Sequence, residues 1–115
     1  MAIAVTATKE SLAGSYAALA THASLHTADP GTTGTSEVTG GSPAYARVAI
    51  TWTAGSSDGI YTTNTLTFNL PASTAVTHIG LWSASTGGSF RDKAALVIPS
   101  GSQRTVDVNA TFTQA

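Results

Sequence analysis

From Val48 to Phe112 the chain repeats one pattern, an apolar residue followed by a small polar one, most often Thr. Val48, Ile50 and Trp52 alternate with Ala49, Thr51 and Thr53; Leu66, Phe68 and Leu70 alternate with Thr65, Thr67 and Asn69. Val106, Val108, Ala110 and Phe112 do the same with Thr105, Asp107, Asn109, Thr111 and Thr113. A period of two places successive side chains on opposite faces of a strand, one face dry and one wet. The wet face carries almost no ionisable group, so this pattern predicts a compact β domain and names no chemistry.

Charged residues make up 10% of the chain, against roughly 25% in an average domain. Disordered chains combine low hydrophobicity with high net charge. Here 42% of residues are hydrophobic and the net charge is −1, which points to an ordered domain with an exterior of Thr, Ser, Ala, Gly and Asn. Such side chains lose little entropy when immobilised, which suits packing against neighbouring copies. The charge balance provides no basic stripe for nucleic acid and no polybasic patch for a membrane. With no cysteine, disulfides and thiolate metal sites are excluded. Met1-Ala2-Ile3-Ala4-Val5 lacks a basic flank and polar residues follow at once, so no secretory leader is expected. Asn109-Ala110-Thr111 matches the glycosylation triplet and is read as chance.

At 115 residues the chain is expected to form a single domain, 1–115. Residues 8–23 are the helical candidate, with Leu12, Tyr16, Leu19 and Ala23 at helical spacing, Thr8 as N-cap and Glu10 in the first turn. Gly14 weakens this helix by about 1 kcal/mol against Ala. Its expected role is to close one end of a sandwich, with partner binding as the alternative. Ser24–Thr27 reads as a short strand, and Ala28-Asp29-Pro30-Gly31 as a turn. Residues 31–43 form a long Gly- and Thr-rich loop with Glu37-Val38 as a brief strand within it, and loops of that length are usually functional or contact-making. Strands are then predicted at Tyr45–Thr53, Ile60–Thr63, Thr65–Leu70, Val76–Ser83, Ala94–Ile98 and Arg104–Thr113, the last being the longest. The two strands flanking Asn64 read equally as one bent strand. Turns fall at Ala54–Gly59, Ala84–Ser89 and Pro99–Ser102, with Arg91-Asp92-Lys93 as a solvated turn. Gly80 inside a strand signals close approach of another backbone or a ring. The fold class is therefore mainly β: an antiparallel sandwich or jelly-roll-like barrel of six to eight strands with one N-terminal helix.

The ionisable residues offer few candidate catalytic constellations. His22 and His26 stand four apart, and a zinc site would need Asp29, Glu37 or His78 as a third ligand. The strand reading of Ser24–Thr27 breaks the helical spacing such a pair requires. No Gly-x-Ser-x-Gly nucleophile turn and no phosphate loop is present. The carboxylates Glu10, Asp29, Glu37, Asp58, Asp92 and Asp107 lie mostly in turns, where acidic residues are common for local reasons. No catalytic, cofactor or metal residue is assigned. Tyr45 and Trp82 are the residues to weigh for binding. On outward faces they would stack on a sugar or press against a neighbouring subunit, and otherwise they pack beneath a loop or in the core.

Two stretches carry a family resemblance. The first runs Ser24-Leu25-His26-Thr27-Ala28-Asp29-Pro30-Gly31-Thr32-Thr33-Gly34, then Glu37-Val38-Thr39-Gly40-Gly41, Tyr45-Ala46-Arg47 and Thr51-Trp52. The second is Thr77-His78-Ile79-Gly80-Leu81-Trp82-Ser83-Ala84 with Gly87-Gly88-Ser89-Phe90. Together they resemble small virion structural proteins of tailed phages of actinobacteria, often labelled tail-fibre or minor structural proteins. The resemblance implies a non-catalytic component of the virion. Its partners would be other copies of itself, such as a trimer, and the major capsid protein or tail proteins, with neither nucleic acid nor membrane. Size and surface type favour a capsid decoration protein; a small tail or tail-fibre module, with host-surface carbohydrate as a ligand, is the alternative.

Overall fold

The computed structural model describes residues 4–55 and 59–113, so Ser56, Ser57 and Asp58 of the predicted Ala54–Gly59 turn lie outside the described residues. One helix, α1 (Thr6–Leu19), precedes nine described strands: β1 (His22–His26), β2 (Val48–Ala49), β3 (Trp52–Ala54), β4 (Ile60–Thr63), β5 (Leu66–Leu70), β6 (Val76–Trp82), β7 (Phe90–Ile98), β8 (Arg104–Val108) and β9 (Thr111–Thr113). All pairings are antiparallel. One sheet has the order β2-β1-β6-β7; facing it are β5-β8 and β3-β4-β9. The described sheets stack as a sandwich and do not close into a barrel. The molecule is elongated, 46 × 25 × 22 Å.

The core follows from the alternation. Ala23 opposes Leu81 and Leu25 opposes Ile79 across β1–β6, and these side chains meet Leu66, Phe68, Leu70 and Val108 of the facing layer. The same strands turn Ser24, Gly80 and His26 to the other face.

The helix departs from expectation at both ends. It starts after Val5, which caps it without a side-chain bond, so Thr8 is not the N-cap. Glu10 lies beyond the first turn and its carboxylate accepts the Gly59 N–H at 3.2 Å. The helix stops at Leu19 and not at 23, because Thr21 already donates its N–H to Trp82 O and accepts from Ile50 N, and the chain is committed to the sheet. The buried face is Ala13 and Ala17, with Tyr16 half-buried; Leu12 and Leu19 remain 44% and 49% exposed. Small residues allow close approach to β3 and β4: a Cβ on Gly14 would lie 3.0 Å from the Tyr61 hydroxyl. The helical cost of Gly14 is thus exchanged for a tight contact.

Two long predicted strands are each divided between sheets. Tyr45–Thr53 becomes β2 and β3, paired to β1 and β4 respectively. Arg104–Thr113 becomes β8 and β9, so the longest strand is β7. The break is a bulge: between the Leu66–Val108 and Thr62–Thr111 pairs, Thr63, Asn64 and Thr65 face only Asn109 and Ala110. The extra residue bends the ribbon, and Asn64 holds the bend, its side-chain oxygen accepting Thr51 N at 2.8 Å while its N–H donates to Thr51 O at 3.1 Å.

β7 is longer than predicted because Arg91-Asp92-Lys93 lies within it and not in a turn. Asp92 accepts the Tyr16 hydroxyl at 2.6 Å and Lys93 pairs with Asp29. Register shifts at both ends insert an extra residue opposite β6. Bulges and charges of this kind protect an edge strand from pairing with other chains. Glu37-Val38 is a single bridge, Glu37 to His26, and not a strand.

Candidate functional site

The 27–44 loop folds over the outer face of β1 and β6, and Arg47 makes the largest set of side-chain contacts that hold it there. Arg47 precedes β2, and its guanidinium donates from Nε and Nη2 to both Glu37 carboxylate oxygens at 3.0–3.3 Å. Its Nη1 donates to the carbonyls of Ala84 (3.1 Å) and Gly87 (2.9 Å) in the β6–β7 turn. The guanidinium carbon sits 3.6 Å from the centroid of the Trp82 ring. A planar fork can make all these contacts at once; a lysine cannot. Glu37 also accepts the Tyr45 hydroxyl at 2.9 Å, while that hydroxyl accepts the N–H of Leu25 at 3.0 Å. Burial pushes the Tyr45 phenol upward in pKa, with the Glu37 charge adding to the effect. An open cleft of about 340 Å³ lies over this clamp, walled by Thr39, Gly40, Ser85, Thr86 and Gly87.

Beneath the clamp lies a directed chain of hydrogen bonds. A carbonyl only accepts, so the 2.8 Å contact to Thr35 O places the proton on Nδ1 of His26. Nε2 then accepts from the Ser24 hydroxyl at 2.6 Å, and Ser24 Oγ accepts the Trp82 indole N–H at 2.8 Å. Burial lowers the His26 pKa from its ordinary value. Ser24 and His26 have the spacing of a nucleophile and its base. Both are 0% exposed, and the serine oxygen already holds the indole proton, so a substrate has no approach to it. The arrangement is structural.

Gly80 performs the role its place in a strand predicts. A Cβ there would lie 2.5 Å from His26 Nε2, 2.6 Å from Ser24 Oγ and 2.8 Å from the Phe90 ring. Gly34, at φ +79°, approaches so closely that a Cβ would run into the Trp82 indole.

The other candidates are dispersed. His22 and His26 lie on a strand and not on one helical face; His22 Nδ1 bonds Thr21 Oγ1, and His78, opposite His26, bonds Thr77 Oγ1. Asp29 is held low in pKa by the hydrogen bond from Lys93, and Glu37 is engaged by Arg47. No group of three or more potential metal ligands converges among the described residues. Trp82 and Tyr45 are not outward platforms: Trp82 is buried against Phe90, and Tyr45 is half-buried with its ring stacked on Phe68. Of the readings open to these two rings in the sequence, their positions match packing beneath the loop and against the core. Arg47 and Ser24 went unassigned in the sequence, where the one available signal was the Gly80 gap in a strand.

No described helix is long and apolar enough to cross a membrane. No curated protein matches the chain. A family described as "Podophage GP4 fiber I protein gp80" matches over residues 10–114, from the first half of α1 to the end of the described strands. The chain therefore belongs to this phage fibre protein family and is a phage structural protein, a component of the virion.

Proposed function

We propose that this protein is a small, non-catalytic module of the phage tail fibre or of its attachment, acting by contact with copies of itself and with fibre or tail proteins. The family membership carries this reading. It favours the tail-fibre alternative over the capsid-decoration expectation, which rested on size and surface type. The physical character of the chain supports a contact role. Its exterior is rich in short hydroxyl and methyl side chains, which lose little entropy on packing. Its most polar cluster is consumed in holding the 27–44 loop, with every buried side-chain polar atom among the described residues hydrogen-bonded.

Electron cryomicroscopy of the intact particle, with this chain fitted to the density, tests the proposal. Density at the fibre or its junction with the tail is the expected result. Density confined to the head lattice overturns it in favour of decoration. Sedimentation of the purified chain checks the self-association: reversible oligomers are expected, and a monomer at all concentrations removes the homotypic part.

A further inference from the structure

We propose that His26 is an acid-sensitive latch whose protonation frees the 27–37 loop from the sheet while the sandwich core stays folded. The cluster that holds the loop is separate from the core. Ser24, His26, Gly80, Trp82 and Phe90 lie outside the apolar cluster formed by Leu25, Phe68, Ile79 and their neighbours. The 27–37 loop is tied to the sheet by few groups: Thr35 O to His26 Nδ1, the Glu37 carboxylate to Arg47 and Tyr45, and Asp29 to Lys93 of β7; Val38, the next residue, already belongs to the core.

The latch works because each proton in the chain has one acceptor. Trp82 donates to Ser24, Ser24 to His26 Nε2, and His26 Nδ1 to Thr35. A second proton on the imidazole must go to Nε2. The Ser24 hydroxyl then loses its acceptor, and a cation is confined at a site with no solvent exposure. Three charged or titratable groups face the ring from the packed elements: Glu37 of the loop, Arg47 ahead of β2, and His78 of β6. The Thr35 carbonyl and Glu37 favour the imidazolium, but burial outweighs them, and the Glu37 carboxylate is already engaged by Arg47 and Tyr45. Arg47 and His78 oppose it. When the loop lifts, the ring regains water and an ordinary affinity for protons.

The sign follows from linkage. The closed state binds the proton less readily than the open one, so acid favours opening. The opening constant should rise below about pH 6.5, by up to roughly tenfold per pH unit until the closed-state ring itself titrates. Amide hydrogen exchange of the intact chain, corrected for intrinsic rates, measures this from about pH 7.5 to about pH 5, an interval that brackets an ordinary imidazole. The Thr27, Gly34 and Thr35 amides are expected to lose protection while those of Val38, β5 and β6 keep it. His26→Gln, which cannot charge, is expected to flatten the pH dependence. Should that variant fail to fold, the wild-type ring nitrogens give an independent reading: Nε2 unprotonated at neutral pH, and proton uptake in step with loop exchange. Loop protection unchanged across this range, loop and core amides lost together, or a ring that titrates with the loop still closed would each overturn the latch.

Discussion

The two faces of the β1–β6 pair are built by opposite means. Inward, Ala23, Leu25, Ile79 and Leu81 meet Leu66, Phe68 and Leu70, and cohesion comes from apolar area and close packing, without direction. Outward, Ser24, His26 and Trp82 are as deeply buried but cohere through hydrogen bonds that each specify a donor and an acceptor. The inner face tolerates exchanges that conserve volume. The outer face tolerates neither a change of charge nor an added methyl group. A phage structural protein thus keeps a generic sandwich on one side of a sheet and a specified, loop-holding cluster on the other.

The sharpest break of this contrast is Phe68→Ala. Phe68 is fully buried, so its loss should cost about 3–5 kcal/mol by urea unfolding, much of a small domain's stability, and at any pH. Arg47→Met comes next, at about 3 kcal/mol. It leaves the Glu37 carboxylate short of its main partner and strips donors from two carbonyls, and the cost sits at the low end for a broken buried pair because Glu37 stays 21% exposed. Proteolysis should then cut the loop first, which distinguishes this variant from Phe68→Ala. Gly80→Ala should cost about 2 kcal/mol, since the new methyl meets His26, Ser24 and Phe90 in a space already filled. Displacement of the His26 ring from Ser24, seen in its chemical shifts, would confirm the mechanism. Leu12→Gln, on the exposed side of the helix, should change stability by no more than about 0.5 kcal/mol. A large loss there would mean that the helix packs more deeply than its small-residue face indicates.

Much of the inner face was legible in the chain. The Val48, Ile50, Trp52 stripe, the Leu66, Phe68, Leu70 stripe and the β6 strand all lie where alternation places them. Pro71 ends β5 as a residue without an N–H must. The helix was less legible: leucine spacing pointed to a face that remains in water, while Ala13 and Ala17 form the contact. The break at Asn64 was legible between the Ile60–Thr63 and Thr65–Leu70 runs, whereas those at Ile50-Thr51 and Asn109 left no mark, because a shift of register does not interrupt the apolar–polar rhythm. Of the candidate site, Gly80 and the loop could be foreseen. The Arg47 clamp and the His26 chain could not, since their partners come from residues 24, 35, 37, 47, 82, 84 and 87 and nothing local marks them.

The amino-acid order alone determined that this protein is a mainly antiparallel β domain with a dry and a wet side to each strand, because side-chain alternation is a property of the extended backbone itself. Which strands share a sheet, where the long ones bend, and which polar residues vanish beneath the loop were decided only by the tertiary structure. Those outcomes depend on contacts between residues far apart in the chain, and there the meeting of one arginine, one histidine and one tryptophan is settled by geometry and not by sequence pattern.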